Sequence, residues 1–119
     1  LKVEIEEREG VRVIGVLEPI LDINNISDFR DLLEEKAQEH DGPVVLDFSG
    51  TNYIGSVGLG MVSLTSIMLQ GDDRGFAVVV RTPEIKRLFD ISGLRKVMRV
   101  EEDVAAAVAA LVDASDSVA

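Results

Sequence analysis

Cysteine is absent from this chain, and His40 is its only histidine. Disulfides, Cys/His zinc clusters and Cys–His nucleophilic dyads are therefore outside the chemistry it can supply. Positive charge is scarce as well. Twelve Lys and Arg stand against 22 Asp and Glu, for a net charge of −10, and both nucleic acid and an anionic membrane surface would repel such a chain. No apolar run approaches the roughly 20 residues of a membrane span, and the start Leu1-Lys2-Val3-Glu4 is unlike a signal peptide. We expect no membrane insertion and a cytoplasmic location. With 119 residues, 46% of them hydrophobic, the chain is expected to form a single domain over residues 1–119 with a sizeable core, fraying in the tail 114–119.

The periodicities that remain are those of an α/β domain. Val3 and Ile5 alternate with charged residues, Gly10 interrupts, and Val11 and Val13 resume the alternation, which predicts a β-hairpin. Glu18-Pro19 should end it. Asp22-Ile23-Asn24-Asn25 reads as a loop whose asparagines can cap the next helix. In that helix Ile26, Phe29, Leu33 and Ala37 fall at i, i+3, i+7 and i+11, and Asp41-Gly42-Pro43 ends it. Val44 to Phe48 is apolar apart from Asp47, the pattern of a central strand covered on both faces. After Ser56, the stripe Val57, Met61, Leu64 and Met68, widened by Val62 and Ile67, is expected to pack on the sheet. The stripe Ser56, Leu59, Ser63, Ser66 and Gln70 is polar except for Leu59, which is either tucked under a loop or held out for a partner. Phe76 to Val80 is a second strand, parallel to the first. Thr82-Pro83 opens a short helix carrying Ile85, Leu88 and Phe89, closed by Ser92-Gly93-Leu94. An edge strand over Val97–Val100 and a last helix through Val104, Val108, Leu111 and Val112 complete the expectation.

Most enzymatic readings fail on spacing. Gly55, Gly58 and Gly60 lie between a strand and a helix, but their order matches neither a dinucleotide fingerprint nor a P-loop, and no Lys follows. A hydrolase built on Ser56 would need a base, and His40 is expected at the opposite end of the sheet. Glu18, Asp22 and Asp47 are read as solvated loop acids. The chain is therefore expected to be no enzyme and to need no cofactor or metal. Residues 81–99 hold six bases against two acids, either a solvated helix face or a docking patch for an acidic protein. Ser56 itself is placed to cap the helix that follows, and the same position suits a phosphate, because a helix start favours negative charge. It can be a plain cap or a switch.

Two stretches together resemble the anti-sigma factor antagonist branch of the STAS domain family: Val44-Val45-Leu46-Asp47-Phe48 through Tyr53-Ile54-Gly55-Ser56-Val57-Gly58-Leu59-Gly60, and Ile85-Lys86-Arg87-Leu88-Phe89-Asp90-Ile91-Ser92-Gly93-Leu94. The first is similar to that family's strand and Asp-Ser-Ser/Thr-Gly-Leu-Gly motif, with Gly55 and Val57 standing where the family has Asp and a second Ser or Thr. Pro19 stands where a glycine commonly precedes the Asp22 loop. The resemblance implies an α/β fold of STAS type, a small mixed β-sheet of about four or five strands with about four helices packed on it. It implies an anti-sigma factor antagonist that sequesters a serine-kinase-type anti-sigma factor. The kinase would phosphorylate Ser56, and a PP2C-type phosphatase would reverse the modification. Carried over position by position, the partner-binding residues are Asp22, Asn24, Gly55, Ser56, Val57, Gly58, Leu59 and Ser63. The alternative within the same resemblance is a STAS module that is not phosphorylated, a scaffold in a larger regulatory or transport complex.

Overall fold

The structure, a computed structural model, describes residues 2–116. Strands β1 (Val3–Arg8) and β2 (Val11–Val16) form the expected hairpin. Its two-residue turn puts Glu9 at φ 52° and Gly10 at φ 82°, the left-handed conformations that a tight hairpin with right-twisted strands requires. Helix α1 spans Ile26–Gln38, β4 Val44–Asp47, α2 Ser56–Gly71, β6 Phe76–Val79, α3 Pro83–Ser92, β7 Arg99–Glu101 and α4 Val104–Asp116. Two short strands, β3 (Ile20–Leu21) and β5 (Tyr53–Ile54), pair in parallel as a separate ribbon. The main sheet has the order β1-β2-β4-β6-β7, with β4 central and only the β1–β2 pairing antiparallel. The mixed five-stranded sheet and four helices agree with the expected fold class.

Both faces of the sheet are covered, and the alternation along each strand shows how. Ile14, Val16, Val44, Leu46, Phe76 and Val78 point to one side and pack with Phe29 and Leu33 of α1, Val62 and Leu69 of α2, and Ile85 and Phe89 of α3. Val11, Val13, Val45, Ala77 and Val79 point to the other, where Ala107, Val108 and Leu111 of α4 cover them. A strand buried on both faces has no polar side to expose, which is why β6 and, up to Asp47 at its end, β4 read as apolar runs. Gly93, at φ 75°, closes α3 in the left-handed conformation expected of a C-terminal glycine.

Four local expectations are corrected. The last strand begins at Arg99, because Leu94–Lys96 form a turn of 3₁₀ helix after α3 and leave Val97 outside the strand. Asn25 occupies the cap position of α1, but its side chain makes no capping bond to the helix. Its Oδ1 accepts from the Asp22 amide at 3.0 Å and its Nδ2 donates to the Ile20 carbonyl at 2.8 Å, so the side chain braces the loop instead. Helix α4 continues through Ala114 to Asp116, and the rest of the tail expected to fray lies outside the described residues.

The fourth correction concerns α2, which is rotated from the expected orientation. Its buried face is Gly58, Val62, Thr65, Ser66 and Leu69. Val57, Leu64, Ile67 and Met68 are 43%, 55%, 67% and 55% exposed. Two features allow a face of small and polar residues to go inward. Gly58 has no side chain, and a Cβ there would lie 2.6 Å from Ile54 Cγ2, so the helix seats directly on β5. Thr65 and Ser66 are satisfied locally: the Thr65 hydroxyl donates to the Met61 carbonyl at 2.9 Å, and Gln70 Nε2 donates to Ser66 Oγ at 2.7 Å. Once bonded, a buried hydroxyl carries little penalty.

Candidate functional site

Ser56 is the first residue of α2, and Gly55 occupies the cap position with φ −74° and ψ 171°. The expectation that Ser56 caps the helix is therefore corrected by one residue. The Gly55 carbonyl accepts from the amides of Gly58 and Leu59 at 2.9 and 3.1 Å. No side chain caps the helix, and its first turn holds no acid. The Ser56 side chain is exposed at the positive end of this 16-residue helix.

The β3–β5 ribbon brings the Asp22 loop to this point. The Gly55 amide donates to the Leu21 carbonyl at 2.8 Å, and the amides of Asn52 and Tyr53 share the Pro19 carbonyl at 2.7 and 3.1 Å. A Cβ on Gly55 would stand 3.8 Å from Asp22 Cα and 3.8 Å from the Tyr53 ring. The Asp22 carboxylate is held in its own turn. Its Oδ1 accepts from the Asn24 amide at 2.9 Å, and Asn24 Nδ2 donates to Oδ2 at 3.5 Å. Asp22, Asn24, Gly55, Ser56 and Val57 thus share one surface. Gly58 is buried beneath it, Leu59 is half-buried against the core, and Ser63 is half-buried two turns along the helix. Of the two readings left open for Leu59, the structure has it partly tucked against the core.

Sequence reasoning did not single out the apolar residues of this surface. Ile23 is 77% exposed, Tyr53 55% and Ile20 50%, and Ile20 is paired with Tyr53 across the ribbon. Together with Val57 they form a cluster of large exposed apolar side chains around Asp22 and Gly55, the kind of patch that protein interfaces cover. The available signal was alternation: in both Ile20-Leu21 and Tyr53-Ile54 the second residue is buried and the first is exposed. Each pair was too short to read as a strand.

The residues considered for catalysis stay apart. His40 precedes β4, where Nε2 lies 3.1 Å from the Gly10 carbonyl and Nδ1 3.6 Å from Glu7, whereas Ser56 lies beyond the far end of that strand. Asp47 Oδ1 accepts from the Ser49 amide at 2.9 Å and from its hydroxyl. Glu18 accepts from the Lys2 amide at 3.1 Å. Among the described residues, no three His, Asp or Glu side chains are grouped to hold a metal ion, and no helix is long and apolar enough to cross a membrane. In the basic segment, Lys86 pairs with Glu102 and Arg95 with Asp90. The Lys86 ammonium holds the Glu102 carboxyl below its ordinary range, first through the hydrogen bond and then through charge.

Comparison with known proteins adds three findings. A family model described as the STAS domain matches residues 2–107. The anti-sigma-B factor antagonist of Staphylococcus epidermidis is 30% identical over 82 residues, covering 69% of this chain and 76% of that protein. The crystal structure of an anti-sigma factor antagonist from Mycobacterium paratuberculosis superposes with a TM-score of 0.83 at 27% identity, covering 92% of each chain. The phosphorylated form of the Bacillus cell fate determinant SpoIIAA, 19% identical with a TM-score of 0.64 over 88% of this chain and 96% of that one, shares the fold.

Proposed function

The chain belongs to the STAS domain family, and from that premise we propose that it is an anti-sigma factor antagonist, a binding protein controlled at Ser56. The observation that carries this reading is the exposed Ser56 hydroxyl at an uncapped helix start, beside the exposed apolar residues Ile20, Ile23, Tyr53 and Val57. The patch supplies contact area, and the hydroxyl supplies a point of control.

The partner is an anti-sigma factor with a serine-kinase fold, met in the cytoplasm. Ile23, Tyr53 and Val57 are buried against it, with Asp22, Asn24 and Leu59 at the margin. Phosphorylation by that partner places about −1.5 to −2 charges on Ser56. In the free protein the dianion is tolerable, because it lies at the positive end of α2. In the complex it must be stripped of water against an apolar surface, which costs several kcal/mol when no cation meets it. Modification therefore favours release, and a PP2C-type phosphatase restores binding. No step requires catalysis by this chain.

Gly55 and Val57 favour a second reading, a STAS scaffold in which Ser56 is never modified, since neither residue supplies the acid or hydroxyl that flanks the serine in the antagonist motif. One experiment separates the two. Purified wild type, Ser56→Ala and Ser56→Asp are titrated against the kinase-fold partner recovered from the same cells. The switch predicts that Ser56→Ala binds like wild type and that Ser56→Asp binds at least about tenfold more weakly, a loss of about 1.4 kcal/mol. Equal binding by both variants, together with no phosphate on Ser56 in cells, leaves the scaffold.

A further inference from the structure

The basic stretch 81–99 separates into two groups in the structure. Lys86 and Arg95 are paired with Glu102 and Asp90, whereas among the described residues Arg81, Arg87, Lys96 and Arg99 meet no acid at ion-pair distance. Lys96 and Arg99 are exposed and line an open groove of about 740 Å³. The groove lies where β6 begins at Phe76, beside the last turns of α2 and α4. Arg74 adds another cation to its wall. That guanidinium is fixed by donating from Nε to the Gly42 carbonyl at 2.9 Å and from Nη2 to the Ala37 carbonyl at 3.0 Å, and neither bond brings an acid. On a chain of net charge −10 such a concentration needs a cause. The simplest is that the bases offset the negative ends of α2 and α4, but each helix end is worth only about half a charge. Asp73 is the one acid in the wall, and Asp90 is engaged by Arg95. The groove therefore stays positive on an otherwise negative body.

We infer that this groove docks a short acidic segment of another protein, one in which Asp or Glu alternates with apolar residues. Charge complementarity sets the sign of the partner. Its acids meet Arg74, Lys96 and Arg99, and its apolar side chains cover Val97, which is 60% exposed in the same wall. The rest of the body narrows the choice further. Nucleic acid or an anionic membrane is a continuous polyanion that extends past the groove and meets the acidic remainder of the chain, whereas a short segment meets the groove alone. A small anion would satisfy the cations and leave Val97 bare.

The groove is separate from the Ser56 surface. Helix α2 starts at Ser56 and runs for 16 residues, which at about 1.5 Å per residue places the groove about 24 Å away. A protein seated on one surface leaves the other open, so the chain has room for two partners at once. The inference holds whether or not Ser56 is modified.

To test it, a synthetic peptide in which Glu alternates with Leu is titrated into the isotope-labelled chain and followed by amide NMR. Shifts should concentrate at 73–75 and 95–99 and be absent around Ser56, with a Kd between about 10 µM and about 1 mM, the range of a small polar contact. Raising salt to about 0.5 M should weaken binding severalfold, because the attraction is between exposed charges. Lys96→Glu with Arg99→Glu should weaken it at least about tenfold. Arg81→Glu with Arg87→Glu makes the same change of charge at exposed positions outside the groove, and should weaken it by less than about twofold. Both double variants should keep the wild-type circular dichroism, and Ser56→Asp should bind the peptide like wild type. Absence of groove shifts at about 1 mM peptide overturns the inference. So does an equal loss in the two double variants, or equal binding of a peptide with Lys in place of Glu. Inorganic pyrophosphate saturating the same amides as tightly assigns the groove to a small anion, and groove shifts that appear on concentrating the chain alone assign it to an acidic face of a second copy. Either result overturns the inference as well.

Discussion

Gly58 and Gly60 are two residues apart on the same helix, and adding one methyl group to each should have effects of opposite sign. At Gly58 the new Cβ would lie 2.6 Å from Ile54 Cγ2. Ile54 cannot easily withdraw. It is 2% exposed, its β5 position is paired with Leu21 of β3, and a β-branched side chain has little freedom about χ1. Forcing a methyl into such a contact costs about 1–3 kcal/mol, while replacing glycine in a helix interior returns about 1 kcal/mol. Gly58→Ala should therefore destabilise the protein by about 1 kcal/mol net. At Gly60 no atom lies within 4 Å of the added Cβ, so Gly60→Ala should keep the whole propensity gain and stabilise by about 1 kcal/mol. Urea unfolding measures both, with the midpoint moving in opposite directions at unchanged slope. In an Ile54→Ala background the added cost of Gly58→Ala should disappear, since the two residues are in contact. If Gly58→Ala stabilises as Gly60→Ala does, α2 is not seated on Ile54, and the orientation that exposes Leu64 and Met68 is wrong.

Other outcomes follow from the loops and caps around Ser56. Asn25→Ala removes both bonds that brace the Asp22 loop and should cost about 1–2 kcal/mol; hydrogen exchange should rise at the Asp22 amide before the rest of the domain, and unchanged exchange there would refute the brace. Gly55→Asp should stabilise α2 by up to about 1 kcal/mol, because a carboxylate at the cap position bonds the first amides and complements the dipole. The backbone at Gly55 accepts a side chain, with 3.6 Å to the nearest atom from its Cβ. A lowered urea midpoint would show that the site is tighter than this geometry. In Lys86→Met the Glu102 carboxyl should titrate upward toward its ordinary range by NMR, since the Lys86 hydrogen bond is the main cause of its depression. A carboxyl whose folded-state pKa is depressed contributes stability above its unfolded pKa and loses it as pH falls through the lowered range. The wild-type advantage over Lys86→Met should accordingly be present at neutral pH and vanish in acid.

What the sequence determined by itself was the set of elements and the sheet they form. Apolar runs at β4, up to Asp47, and at β6 can be buried only between two layers of helix, alternation around Glu9-Gly10 makes a hairpin, and Gly93 requires a helix to end. The position of Ser56 at a strand-to-helix junction was legible for the same reason, since proline, glycine and periodicity act locally. What only the tertiary structure decided was which side of α2 faces inward. Helical periodicity marked an apolar stripe and a polar one, whereas the buried face of Gly58, Val62, Thr65, Ser66 and Leu69 lies between them and leaves Val57, Leu64 and Met68 outside. The choice rested on Gly58 meeting Ile54 and on hydroxyls satisfied within the helix, both of which depend on contacts between residues or on hydrogen bonds that composition does not reveal. Likewise, the exposed cluster of Ile20, Ile23 and Tyr53 exists because two dipeptides 33 residues apart pair as β3 and β5. A pairing of that length leaves almost no trace in a chain read one window at a time, yet it sets the Asp22 loop beside Ser56.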